Sequence, residues 1–401
     1  MPDQALEGYK VLDLSWHIAG PYCTKLLAEL GAEVIKIEPV DGGDPARKMP
    51  PFFEDDPHPE KSLLFLYLNT GKKSLTLSLK TEKGKQILKQ LIEEADILVE
   101  NFSPRVMPDL GLDYETLAKI NPGLIMTSIS NFGQTGPYRD YKATDITGMA
   151  IGGLMHMTGE SDREPLTYGG WQAQYQGGTN GFAATMCALT YRDLGDEDKE
   201  GQHVDVSIME SITQILENFD LHYQVTGGLY ERSGTRWATM PAWGIYPCLD
   251  GYVGLVSGPV RRMLQIPVMM EVPELADFKY IAQRVELADE IDALMLPWLL
   301  EHTMDEIFHK GQAMVPKVPT SLVRTPEDLI NSPQFKAREF FVDVDHPVVG
   351  KGTYPGAPVK LGGTPMQVTR APLFGEHNQE ICERLGYSKL EQTRLKSEGV
   401  I

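Results

Sequence analysis

Few residues in this 401-residue chain are arranged for chemistry by spacing alone. The turn Ala19-Gly20-Pro21 comes where an apolar run gives way to helical periodicity. Free backbone N–H groups at such a turn can receive a phosphate or carbonyl oxygen, although an ordinary tight β-α connection looks the same. Its glycine spacing does not fit the GxGxxG dinucleotide fingerprint, which argues against an NAD enzyme. Lys72 and Lys73 follow a glycine in a loop before an apolar run, where lysines are most often solvated charge. Asp145 offers a carboxylate for acid, base or nucleophilic work, or simply a cap for the segment that follows. His17 and His377 have no carboxylate and nucleophile at recognisable spacing. The four cysteines, Cys23, Cys187, Cys248 and Cys382, lack metal-ligand spacing, so no metal is expected. They read as small buried hydrophobes in a reducing compartment.

These residues need a scaffold, and the hydrophobic pattern supplies one. Val11 to Leu14 is a short apolar strand candidate, Tyr22 to Leu30 has helical periodicity ending at Gly31, and Val34 to Ile37 is a second strand. This β-α-β opening predicts a right-handed crossover and a parallel sheet. Leu75 to Leu79, a helix over Lys83 to Ala95, then Ile97 to Val99 and Leu124 to Ser130 continue the alternation of a doubly wound α/β layer. Gly148 to Gly170 reads as loop, Gly181 to Tyr191 as helix, Val204 to Ile208 as strand and Met209 to Val225 as a long connecting helix. A hairpin over Gly244 to Val256, turning at Asp250-Gly251, opens a second unit with helices over Ala282 to His302 and Thr303 to Lys310. Phe340 to Gly363 reads as strands returning to the first domain, and Asn378 to Leu385 as a final helix. The expected organisation is a large domain over 1–225, a small one over 226–330, and a return over 331–401.

Composition narrows the function classes. A net charge of −19 disfavours nonspecific nucleic-acid binding, yet a local cluster of donors suffices for an anionic ligand. No apolar run is long enough to cross a bilayer, and the N-terminus lacks the layout of a signal peptide, so neither membrane insertion nor export is expected. The cytoplasm is the default.

Six sequence blocks then point one way. The opening Val11-Leu-Asp-Leu-Ser to Lys36-Ile-Glu-Pro39 is followed by Leu68 to Leu77, Asp96 to Phe102, Gln172 to Leu189, Gly201 to Ser211 and Ala371 to His377. In composition and order they resemble the family III CoA-transferases, the formyl-CoA and carnitine-CoA transferase group. That resemblance implies a Rossmann-like large domain, a small α+β domain and two interlocked subunits. It implies a coenzyme A thioester as substrate and no prosthetic group. In the family an aspartate attacks the acyl-CoA thioester to give a mixed anhydride and then an enzyme-bound CoA thioester. The matching position here is Gln174, whose amide is neutral and too weak a nucleophile for that route.

The same resemblance carries other positions across. Asn101 and Phe102 match a pair that hydrogen-bonds CoA and stacks on its adenine. Ala19, Lys72, Lys73, Arg105 and Lys142 fall in segments that line the CoA cleft, and Asp145 in one that shapes the pocket. Two basic positions of the family are lost, to Pro39 and Asp109. The small-domain glycine loop is reduced to Val256-Ser-Gly-Pro-Val-Arg-Arg262. The chain is therefore expected to be a silent subunit beside a homologous catalytic subunit that supplies the aspartate. Family enzymes that move CoA from succinyl-CoA to (R)-benzylsuccinate, in anaerobic aromatic degradation, are built from two different subunits in this way. The alternative is a self-sufficient transferase, or an enzyme like the family's 2-methylacyl-CoA racemases, that uses Asp145.

Overall fold

The computed structural model describes residues 4–195, 200–237, 240, 242–258, 263–278 and 286–401. The chain divides into two compact units, one formed by residues 1–152, 168–217 and 334–401, the other by 153–167 and 218–333.

The first unit is built on a six-stranded sheet ordered β3-β2-β1-β4-β5-β6, with every neighbouring pair parallel. The strands are β1 (Lys10–Asp13), β2 (Glu33–Glu38), β3 (Lys73–Thr76), β4 (Ile97–Glu100), β5 (Ile125–Ser130) and β6 (His203–Ser207). A parallel sheet is covered on both faces, so its strands are continuously apolar and do not alternate. All four residues of β4 and all six of β5 are buried. Leu12, Ile35, Leu75, Leu98 and Met126 share one core with the helix α3 (Glu82–Ile92) through Ile87, Leu88 and Leu91. Each such side chain contributes about 1.5–3 kcal/mol on burial.

The strand order reverses between β1 and β4. Chains entering from opposite sides leave a crevice at the carboxyl ends of these two strands, and doubly wound folds bind ligands there.

The helix α7 (Gln172–Leu194) begins nine residues before the expected Gly181. Its first turns carry little apolar periodicity because glycines make its close contacts. A Cβ on Gly178 would lie 2.5 Å from the Ala19 carbonyl oxygen of α1 (Ala19–Glu29). One on Gly177 would meet Ile208 at 2.7 Å, and one on Gly181 would meet Ile129 at 2.6 Å. Glycine costs a helix up to about 1 kcal/mol relative to alanine, and here it lets two helix backbones touch. Position 174 thus lies within the first helical turn.

Other expectations are corrected. The segment from Asp145 to Ile151, partly read as loop, is a helix, α6, with a Thr144–Thr147 capping box. The long helix over Met209 to Val225 is broken into α8 (Ile208–Thr213) and α9 (Phe219–Thr226), because Glu217 takes a φ of 58° that cannot continue a right-handed helix. The unit boundary falls at that break, so α9 belongs to the second unit, as do residues 153–167. β3 ends at Thr76 and does not reach Leu79.

Residues 340–363 supply β10 (Phe341–His346) and β11 (Gly350–Pro355), which form a two-stranded sheet of their own among the described residues and do not join the large sheet. The segment Ala371 to His377 closes the sheet edge instead. His377 donates its N–H to the Ser74 carbonyl and accepts the Ser74 N–H on Nδ1 at 3.1 Å, and the Gly375 N–H reaches Ser74 Oγ. After Asn378–Arg384 comes one more helix, Lys389–Ser397, opened by a Ser388–Glu391 capping box.

The second unit carries the expected hairpin as β7 (Trp243–Cys248) and β8 (Gly251–Val256), and β9 (Thr320–Leu322) adds a third antiparallel strand. The helices Ala288–Leu300 and Met304–Ala313 pack on it around Ile291, Met295, Leu299 and Ile307. Positions 259–262 of the glycine-poor loop, and 279–285 at the start of an expected helix, lie outside the described residues.

Candidate functional site

Asn101 and Phe102 follow directly on β4, at the point where the strand order reverses. The Asn101 side chain clamps the facing loop after β1, accepting the Trp16 N–H on Oδ1 and donating from Nδ2 to the Trp16 carbonyl, both at 2.7 Å. The Phe102 ring meets the Trp16 indole edge-on at 5.1 Å. Behind them the Glu100 carboxylate accepts the Phe102 N–H at 2.7 Å. Burial pushes the Glu100 carboxyl up to about 7, against the opposing hydrogen bonds from Ser128 and Phe102.

Phe102 is a wall shared by two cavities of the first unit. One, of about 490 Å³, is lined by Leu14, Trp16, Ile37, Pro39, Leu79, Lys80, Val106 and other residues after the strand ends. It is mostly apolar, the kind of concavity that takes a flat ring. The other, of about 80 Å³, is polar and lies at the start of α7, lined by Asn101, Ser103, Ser130, Asn131, Arg139, Tyr141 and Gln174.

Gln174 therefore opens onto the same crevice as Asn101 and Phe102, as the sequence blocks imply. Its backbone N–H, one of the four that a helix start leaves unpaired, is accepted by Asp145 Oδ1 at 3.1 Å. Burial raises the Asp145 carboxyl above its ordinary range, while N–H groups of Gln174 and Ala173 oppose that rise. Asp145 does cap a helix start, but it is α7 and not the segment after it.

The basic residues separate into two groups. Lys72 Nζ donates to Asp13, the Pro21 carbonyl and Asn69, each at 2.9 Å. An ammonium has three donors, so none remains for a phosphate. Its side chain is fully buried, and burial brings its pKa down to about 8. Lys73 is held on β3 by Glu33 at 3.1 Å and Glu380 at 2.6 Å. Ala19 is buried in the contact of α1 with α7. None of these three lines either cavity.

Arg105 and Lys142 line neither cavity but stand beside the polar one. Arg105 holds Asp140 through two hydrogen bonds of 2.8 and 2.6 Å, Arg139 contacts the same carboxylate at 3.6 Å, and Lys142 donates to Ser103 at 3.0 Å. Asp109 is exposed on the helix Val106–Leu110, and Pro39 lines the apolar cavity where a basic residue was expected. Sequence reasoning missed Trp16, Lys80, Ser130, Arg139 and Tyr141. Lys80 had a usable signal, a cation just past the carboxyl end of a strand. Cys23 is no nucleophile, since burial pushes its thiol up to about 12. No helix among the described residues is long and apolar enough to cross a membrane.

Comparison with known proteins shows the family and the fold. The family model described as CoA-transferase family III matches residues 6–378. The succinyl-CoA–D-citramalate CoA-transferase of Chloroflexus aurantiacus is 33% identical, over 100% of this chain and 99% of that protein. Subunit BbsE of the succinyl-CoA:(R)-benzylsuccinate CoA-transferase of Thauera aromatica is 31% identical, over 99% and 98%. Among solved structures, a CaiB/BaiF family protein from Brucella suis superposes with a TM-score of 0.84 at 30% identity, covering 96% of this chain and 100% of that one. The crevice at the strand reversal, with Gln174 on its wall, is thus that of a chain belonging to CoA-transferase family III.

Proposed function

We propose that this chain is the nucleophile-lacking subunit of a heteromeric CoA-transferase that moves CoA from an acyl-CoA such as succinyl-CoA to a carboxylic acid such as benzylsuccinate. The observation that carries this reading is Gln174 on the cavity wall beside Asn101 and Phe102, with Asp145 committed to the N–H groups of the same turn. A glutamine amide does not form an acyl anhydride at useful rates. The partner, a homologous subunit of the same fold interlocked with this one, supplies the aspartate.

In that partner, a carboxylate oxygen attacks the thioester carbonyl, the C–S bond breaks, and CoA leaves as the thiolate. The thiolate then attacks the aspartyl carbonyl of the mixed anhydride, releasing the donor acid and leaving an enzyme thioester. The acceptor carboxylate attacks that thioester in turn, and the returning thiolate closes the cycle. No prosthetic group takes part, and the cytoplasm supplies the reduced, CoA-containing setting. The likeness to BbsE, a protein named as a subunit, supports the heteromer.

The alternative, a self-sufficient transferase or racemase using Asp145, has less in its favour. A carboxylate that accepts helix N–H groups is poorly placed to give up those bonds and attack a thioester. The test is CoA transfer from succinyl-CoA by the purified chain alone and by the chain co-expressed with an aspartate-bearing homologue. Turnover is expected only from the pair. It should vanish when the partner's aspartate is replaced, and largely survive Gln174→Ala in this chain. Enzymatic turnover by the chain alone would defeat the proposal.

A further inference from the structure

The small cavity at Gln174 has mostly polar walls. Ser130, the last residue of β5, is 6% exposed, and its hydroxyl has no hydrogen-bond partner among the described residues. A buried hydroxyl left unpaired is costly and calls for a ligand or an ordered water. The Gln174 side chain, Asn131 and the Tyr141 phenol share the lining, and Arg139 is its single ionised residue. The volume of about 80 Å³ exceeds the roughly 10–15 Å³ that one water needs.

The charge on the cavity's own lining favours an anion. Arg105 and Lys142 stand beside the cavity with the carboxylates Asp140, Asp109 and the capping Asp145, so what sets the charge of the lining itself is the Arg139 cation. Arg105 takes Asp140 in a close two-point pair, which leaves Arg139 with a contact of 3.6 Å. The guanidinium of Arg139 is thereby the freer of the two. This lining cation sits in a chain of net charge −19. An aspartate at position 174 would repel a carboxylate from this place; a glutamine offers it two N–H donors.

We infer that this cavity is a noncovalent carboxylate site, in which Arg139, Ser130 and the Gln174 amide hold the free carboxylate of a small organic acid. The inference rests on the reading that position 174 performs no covalent step in this chain. It adds that the substitution exchanges a nucleophile for an anion-binding donor, giving the chain a binding role for the free acid of the transfer reaction.

The test is calorimetric titration of the full chain with succinate, with no acyl-CoA present, repeated on the assembled complex. Succinate is expected to bind, with succinamide and inorganic phosphate at least about tenfold weaker. Gln174→Asp should weaken succinate at least about tenfold by placing a carboxylate against it, and Arg139→Gln by a comparable factor. Circular dichroism and melting temperature establish that each variant is folded, and Arg139, on an exposed loop, keeps the test decisive if the helix variant is not. The inference is overturned if the folded chain does not bind succinate or if binding survives both substitutions. It is equally overturned if phosphate binds as well as succinate with the same dependence on Arg139, since that would mark a site for CoA phosphates. No turnover enters this measurement, so its failure is distinct from turnover by the chain alone, which would defeat the silent-subunit reading.

Discussion

Two ionic clusters flank the crevice of the first unit, and they use the same chemistry to opposite ends. Beneath it, Asp13, Lys36, Asp44 and Lys72 form a floor whose side chains are wholly buried. At its mouth, Arg105, Asp140, Arg139 and Lys142 form an exposed rim. In the floor every charge is spent on the fold. Lys36 donates to the Ser15 carbonyl at 2.9 Å and pairs with Asp44 at 2.8 Å, while Asp44 accepts the His17 N–H. These contacts fix the β1–α1 loop whose Trp16 faces Asn101. Burial would raise the Asp13 carboxyl, but Lys36 and Lys72 beside it hold it well below the usual carboxylate range. The rim charges face water, contribute little to stability and stay available to a ligand. Burial, not residue type, decides which lysine is structure and which is site.

The comparison breaks most visibly at Lys72. Lys72→Ala leaves Asp13 buried with a single cation, Lys36, at 3.8 Å, and removing one partner of a buried pair costs roughly 3–5 kcal/mol. Urea unfolding should show that loss, together with a displaced Trp16 visible in near-ultraviolet circular dichroism. Unchanged stability with weakened CoA binding would return Lys72 to the ligand.

That outcome also marks how far the sequence could be read. The parallel sheet, the β-α-β opening and the hairpin at Asp250-Gly251 follow from apolar runs and turn residues, which are local properties. The junction of Asn101, Phe102 and Gln174 was legible through the ordered blocks that resemble the family. Lys72 was misjudged because its three acceptors, Asp13, the Pro21 carbonyl and Asn69, are brought together only by the fold, and a lysine after a glycine looks solvated until they are placed. The start of α7 was hidden for a related reason. Its glycines look like loop until α1 is seen pressed against them. Ser130 and Arg139 come from a strand end and a loop, with no pattern to connect them.

A second test sharpens the contrast at Glu100, a buried acid on the site side that, unlike Asp13, has no cation partner among the described residues. With a carboxyl raised from about 4.5 to about 7, the folded state holds a proton that the unfolded chain gives up. The stabilisation is complete below about pH 4.5 and is lost as the pH rises through about 7. A tenfold change in proton affinity is worth about 1.4 kcal/mol, so the loss is on the order of 3 kcal/mol. Glu100→Gln keeps an oxygen for the Phe102 N–H and should remove this pH dependence, making the variant more stable than the parent at pH 8. Denaturant midpoints for both proteins across pH 4 to 8 would read the difference. Parallel curves would show that Glu100 stays ionised, held by a group not paired with it here.

The smallest effect belongs to the rim. Arg105 is exposed and its partner Asp140 half in water, so Arg105→Ala should leave the melting temperature where it was. Its charge acts on a ligand at longer range, through an aqueous path that salt screens over about 8–10 Å. The variant is therefore expected to bind CoA a few-fold more weakly at low ionic strength, and the gap should close as salt is added. The pair of readings matters more than either alone. A drop in stability would make Arg105 a second Lys72, part of the scaffold, and would erase the distinction between floor and rim. An affinity loss that persisted at high salt would mean a direct, desolvated contact with the ligand, giving Arg105 a closer role than the exposed ion pair with Asp140 implies.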